Sequence, residues 1–146
     1  GLNHDGVCIQ HLGDKNSLPC EVREAIRHSE KSTQDNQHVT LSVAFNYGGR
    51  AEIIEAVKTI IKDSIPFSDI TERVLEERLY TYAIPDPDLI IRTAGEKRLS
   101  NFLIWQSAYS EYYYTDVLWP DFGKSDVQKA IREYQSRKRK FGALES

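Results

Sequence analysis

The sequence predicts an α/β domain: a mainly parallel sheet flanked by helices. Three observations carry that prediction. Short, β-branched apolar runs alternate along the chain with longer segments whose apolar residues recur at helical spacing. Glycine, proline and asparagine punctuate the junctions, as in "LGDKNSLP" and "FNYGGR". The run "VTLSVAF" is apolar along most of its length, as strands of a parallel sheet with cover on both faces are. At 146 residues the chain is long enough for one domain with a real core and too short for two. Three or four strands make a small sheet, so residues 1–146 read as a single but partial domain.

The elements follow in order. "GVCIQHLGD" gives a strand over Val7–Leu12, closed by a Gly13–Asp14 turn. "LPCEVREAIRHSEKST" gives a helix with Pro19 at its first position, Glu21 and Glu24 in its early turns, and Val22, Ala25 and Ile26 inward. Val39–Phe45 is the second strand. After "NYGGR" comes a helix with Ile53, Ile54, Val57, Ile60 and Ile61 on one face. "FSDITERVLEERLY" predicts a third helix, with Asp69 and Glu72 spaced for a capping box. Leu89–Arg92 is the third strand. Ser100 is suited to cap an apolar helix over Phe102–Tyr109, "YYYTDVLW" adds a short extended segment, and a last helix runs from Asp126 to Lys140 with Val127, Ala130, Ile131 and Tyr134 inward.

Composition excludes several function classes. The chain is 40% hydrophobic and 28% charged, ordinary for a globular protein, and its net charge of −3 gives no electrostatic reason to expect nucleic acid. The basic run "RKRK", Arg137–Lys140, reads as a solvated last helical turn. The two cysteines, Cys8 and Cys20, have no zinc-site spacing, and a buried free thiol at Cys8 fits a reducing, cytoplasmic setting. No run reaches the ~18 apolar residues of a membrane span, and no signal-peptide pattern opens the sequence.

The informative stretch is "PDPDLIIRTAGEKRLSNFLIW", Pro85–Trp105. In an open α/β sheet, ligands bind beyond the carboxyl ends of the strands, and Arg92 sits at such an end. Thr93, Ala94 and Gly95 are small enough for backbone amides to approach a ligand. A helix starting at Ser100 would add its free N–H groups, and arginine is the residue type for bidentate capture of phosphate oxygens. The arrangement asks for a di- or triphosphate-like anion. An alternative stays open, in which Arg92 and Arg98 pair with Asp88, Glu96 or other carboxylates. Downstream, Glu111 stands among Tyr109, Tyr112, Tyr113 and Tyr114. A carboxylate close to a phosphate site suits Mg²⁺, which takes one or two carboxylates plus substrate phosphates. An alternative stays open here too, in which Glu111 is an ordinary polar residue at a helix end.

The segment "PDPDLIIRTAGEKRLSNFLIWQSAYSEYYYTDVLWPDF" resembles the cis-prenyltransferases, in particular the bacterial undecaprenyl diphosphate synthases. "GVCIQHLGD…LP" and "LSVAFNYGGRAEI" are similar to further blocks of that family, in the same order, so the resemblance covers nearly the whole chain. It implies condensation of isopentenyl diphosphate with an allylic diphosphate, usually farnesyl diphosphate, repeated to build a long Z-polyprenyl diphosphate such as undecaprenyl diphosphate, a cell wall lipid carrier. By matching positions, Arg92, Arg98 and Ser100, with Leu99 between, hold the diphosphate of isopentenyl diphosphate. Glu111 helps bind Mg²⁺. A cytoplasmic homodimer, peripheral at the membrane that receives its product, is the expected setting.

Three departures accompany the resemblance. The family's "DGNxRWA" block, whose aspartate coordinates Mg²⁺ and binds the allylic diphosphate, has no counterpart here, and "HDG" at His4–Gly6 runs on into a strand. The N-terminal part of the domain is therefore expected to be missing from this chain, with no catalytic residue within it and no elongation by the 146 residues alone. Lys97 stands where some relatives have histidine near the metal, and an ammonium does not ligate Mg²⁺. The family's Arg-x-Gly appears as Lys140–Phe141–Gly142, keeping the charge but losing the bidentate geometry. Beside the enzyme, a second reading is a non-catalytic half-domain or partner subunit that binds isopentenyl diphosphate without turnover. An unrelated nucleotide-binding domain would want a glycine-rich phosphate loop, and the sequence has none.

Overall fold

Pro19 fixes a backbone angle that suits a helix start, and the residues after it, Cys20–Thr33, form helix α1. It links strands β1, Val7–Leu12, and β2, Val39–Ala44, the second one residue shorter than predicted. The strands lie parallel, Val7 opposite Val39 and Leu12 opposite Ala44, so the three elements make a strand–helix–strand crossover. This computed structural model describes residues 4–137, and they fall into two units, Gly1–Pro85 and Asp86–Ser146.

In the first unit, side chains of α1 fasten it to β1. Thr33 Oγ1 accepts the Ile9 N–H at 2.9 Å, and a Glu30 carboxylate oxygen accepts the His11 N–H at 3.1 Å. Beyond α1, the Asn36 side chain donates to the Val7 carbonyl at 2.9 Å. The turn after β1 needs glycine: Gly13 has φ +134°, and a Cβ there would stand 2.4 Å from the Phe45 carbonyl oxygen.

Helix α2 spans Gly49–Lys62 and buries a line of Glu52, Ala56 and Ile60. The predicted apolar stripe is wider than the surface this unit offers it, and Ile54, Val57 and Ile61 stay exposed. The predicted third helix breaks into two short pieces: a 3-10 turn at Phe67–Asp69 and α3 at Glu72–Glu76. Ile70 and Thr71 between them are extended. The cap is therefore Thr71, whose hydroxyl accepts the Val74 N–H at 3.3 Å, and not Asp69.

In the second unit, β3, Leu89–Arg92, pairs in parallel with β4, Glu111–Tyr114. Helix α4 spans Lys124–Ser136, with Ala130 fully buried, and the Asp126 carboxylate accepts the Gly123 N–H at 3.1 Å to close its first turn. The predicted continuation to Lys140 and the Lys140–Phe141–Gly142 motif lie outside the described residues.

The predicted helix over Phe102–Tyr109 does not form; that stretch is a series of turns. Ser100, Asn101 and Leu103 all take positive φ, of 52°, 64° and 44°, which a right-handed helix forbids. Helices of this length are held by packing more than by propensity, and here only Gln106 and Ser107 are buried, while Phe102, Ile104 and Tyr109 remain exposed. Among the described residues, no helix is long and apolar enough to cross a membrane.

Candidate functional site

Strand β3 delivers Arg92 to its carboxyl end, opposite Tyr114 of β4. The chain then reverses through Ala94 and Gly95, both left-handed, with φ of 63° and 68°. Glycine takes the second of these without strain, and a Cβ there would lie 2.9 Å from Asp116 Oδ1, which would have to shift. The reversal brings Glu96 and Arg98 back beside Arg92. Arg98 Nη2 donates to Glu96 Oε1 at 2.7 Å, and Arg92 Nη2 donates to Glu96 Oε2. Ser100 Oγ stands 3.4 Å from Arg92 Nη2. Hydrogen bonds from Arg92 foremost, then Arg98, hold the Glu96 carboxyl below the usual carboxylate range.

These side chains border a cavity of about 490 Å³, within the usual size of ligand pockets. Arg92, Arg98 and Leu99 line it together with Glu96, and Ser100 meets the group through Arg92. All four residues expected to hold a diphosphate are thus gathered in one place. So is the alternative partner, since the arginines do pair with Glu96. Two expected contributions are absent. The amides of Ala94 and Gly95 donate instead to the carbonyls of Val117 and Thr115, each at 2.9 Å. Ser100 starts no helix and offers no helix N-terminus. The site is built from side chains.

Glu111 lies elsewhere. It pairs with Leu89 at the start of the strands, three residues from the Arg92–Tyr114 end, or about 10 Å at ~3.3 Å per residue. Its Oε2 accepts from Arg137 Nη1 at 2.8 Å, while Arg137 Nη2 donates to Glu133 at 2.5 Å. Glu111 first, then Glu133, raise the Arg137 pKa further. Among the described residues, no three histidine, cysteine, aspartate or glutamate side chains are grouped to hold a metal. One carboxylate already engaged by a guanidinium, at the far end of the strands, does not fit a resident Mg²⁺.

The sequence reading missed the aromatic walls. Tyr112 and Tyr114 stack at 6.1 Å with an interplanar angle of 11°, and both line the cavity, as do Phe102 and Trp119. The signal was the two-residue period of β4, which puts Tyr112 and Tyr114 on the face that carries Ile90 and Arg92.

Comparison with known proteins gives a consistent picture. The family model described as "Putative undecaprenyl diphosphate synthase" matches residues 1–142. An isoprenyl transferase of Clostridium perfringens is 48% identical over 147 residues, covering 98% of this chain and 58% of the relative. One from Prochlorococcus marinus is 50% identical over 149 residues, covering 99% of this chain and 55% of the relative. The chain thus spans somewhat over half the length of these curated relatives. Among solved structures, lavandulyl diphosphate synthase from Lavandula x intermedia, in complex with dimethylallyl diphosphate, has a TM-score of 0.87 and 39% identity, covering 94% of this chain and 61% of that one. A probable undecaprenyl diphosphate synthase from Campylobacter jejuni has a TM-score of 0.86 and 34% identity, covering 96% of this chain and 65% of that one.

Proposed function

The chain belongs to the undecaprenyl diphosphate synthase family of cis-prenyltransferases, and from that premise we propose that it serves cis-prenyl transfer. The proposed reaction condenses isopentenyl diphosphate with an allylic diphosphate, farnesyl diphosphate foremost, into a long-chain Z-polyprenyl diphosphate such as undecaprenyl diphosphate. The observation that carries this reading is the convergence of Arg92, Arg98 and Leu99 on one cavity at the end of β3, with Ser100 Oγ 3.4 Å from Arg92 Nη2. Two guanidinium groups a few residues apart match the spread charge of a diphosphate. The apolar side chains of Ile90, Leu99 and Phe102, with the Tyr112 and Tyr114 rings, suit a five-carbon hydrocarbon and exclude water around it. In this reading the residues of this chain bind and orient the isopentenyl substrate, and placement contributes more than proton transfer does. The solved relative carrying dimethylallyl diphosphate supports the diphosphate substrate class.

Mg²⁺ belongs to the proposed activity as a neutraliser of the departing diphosphate. The described residues do not build its site. A cytoplasmic homodimer that hands its product to a membrane completes the proposal, with residues 1–146 as one partial family domain.

A second reading, isopentenyl diphosphate binding without turnover, is favoured by the engagement of Glu111 with Arg137. Calorimetry with isopentenyl diphosphate tests the shared core. The wild-type chain is expected to bind, and Arg98→Ala to weaken binding by about 1.5–3 kcal/mol, the worth of a hydrogen bond to a charged partner. Unchanged affinity in Arg98→Ala sinks the assignment of that residue. Elongation assayed with farnesyl diphosphate and Mg²⁺, in the presence of a polypeptide carrying the family's "DGNxRWA" block, then separates the two readings.

A further inference from the structure

The two arginines of the cavity do not wait unengaged. Glu96 gives one carboxylate oxygen to each: Oε1 to Arg98 Nη2 at 2.7 Å, and Oε2 to Arg92 Nη2. All three side chains line the cavity. An anion that uses those guanidinium donors must take them from Glu96 or sit beside a like charge. We infer that Glu96 is the resident counter-anion of the site, pairing with both arginines when the diphosphate is absent and exchanging with it as it arrives and leaves.

This rests on the reading of the cavity as a diphosphate site, and the proposed chemistry gives the exchange a purpose. In each condensation the allylic C–O bond breaks, releasing inorganic diphosphate. A new carbon–carbon bond forms to the isopentenyl group, and one proton is lost from it. The diphosphate of the isopentenyl unit stays on the lengthened product. For that product to act as the allylic partner of the next round, its diphosphate must vacate the arginines it arrived on. Bare guanidinium groups would hold it back. A carboxylate on the same turn offers them a replacement partner at once, trading affinity for release. Glu96 is therefore a positioning residue that lowers the affinity of the site. Its depressed pKa keeps it anionic through the neutral range, so this partner is present throughout.

The test uses inorganic diphosphate as the probe and calorimetry on the full chain. Removing one surface-level repulsion and two competing ion pairs, Glu96→Gln is expected to bind inorganic diphosphate about five- to tenfold tighter than wild type. Glu96→Ala is expected to shift the same way, with dissociation slowed in both by a stopped-flow chase. Glu55→Gln makes the same change in net charge outside this cavity and is expected to leave affinity unaltered. If Glu96→Gln binds equally or more weakly while Arg98→Ala loses affinity, the site reading survives and the counter-anion role is overturned. If wild type does not bind, or Arg98→Ala binds as wild type does, the site reading itself fails and takes this inference with it. A Glu55→Gln variant that tightens as much as Glu96→Gln also overturns it, since bulk charge then explains the effect.

Discussion

Two glutamates of this chain show how much one carboxylate's surroundings decide. Glu96 lines a cavity, whereas Glu52, on α2, is only 1% exposed. One Glu52 oxygen accepts the Tyr47 hydroxyl at 2.6 Å, and the other accepts the Tyr80 N–H at 2.7 Å. It therefore ties the start of α2 to the turn after α3. Glu52→Ala removes the acceptor from both donors inside the fold, and is expected to cost about 2–4 kcal/mol. Tyr47→Phe, which removes one donor and leaves the other bond, is expected to cost about 1 kcal/mol. Thermal or urea unfolding measures both, and a Glu52→Ala midpoint equal to that of wild type refutes the role. Nothing in the sequence marks Glu52 out. A charged residue in a helix reads as solvent-facing, and its burial depends on Tyr80, which is distant in the chain. Arg92, Arg98 and Ser100 were legible because their spacing and their place after a strand are local facts. The pairing with Glu96 was foreseen as a competing possibility, and the aromatic walls emerge only from the register of β4.

At the scale of elements, α1 rests on β1 through polar contacts as well as apolar ones. Glu30 is the hinge of that contact: it accepts the His11 N–H and pairs with Lys15 Nζ at 2.8 Å. Partial burial pushes its pKa up, but the bonds from Lys15 and His11 outweigh this, and the net shift is downward. A depressed folded pKa means that stability from Glu30 is fully present above the ordinary carboxylate value of 4.5 and is lost as pH falls through the lower folded value. Glu30→Gln is accordingly expected to cost about 1 kcal/mol at neutral pH, with the gap to wild type closing as pH falls below 4.5 and through the lower folded value. Unfolding midpoints across pH 3–7 decide it, and a gap that persists into acid refutes the ionic account. Elements with strong local signals were read correctly in their places along the chain: β1, β3, α1 and α2, although α2 buries Glu52, Ala56 and Ile60 and leaves much of its predicted apolar stripe exposed. The segment 102–109 was not, because an apolar run reads as a helix whether or not anything packs on it. Only the left-handed turn from Ser100 to Leu103 settles its course.

At the scale of the molecule, the first unit treats its two strands unequally. Thr33, Glu30 and Asn36 satisfy backbone groups along the outer edge of β1. Among the described residues, β2 has β1 as its neighbour and no strand on its other side. Val39, Leu41 and Val43 along it, and Phe45 just past its end, are 60%, 41%, 46% and 52% exposed. Such a strand is a ready template: its backbone donors and acceptors are ordered, and its side chains are greasy and β-branched. The consequence lies in how the isolated chain behaves in a test tube. Left concentrated, it is expected to recruit further copies edge to edge, scattering light and developing thioflavin fluorescence with a lag that shortens as protein is added. Val39→Lys should suppress this recruitment while moving the unfolding midpoint little, since that side chain is the most exposed of the four. A wild-type chain that stays monodisperse over days at high concentration would mean that β2 is better guarded than its open edge implies.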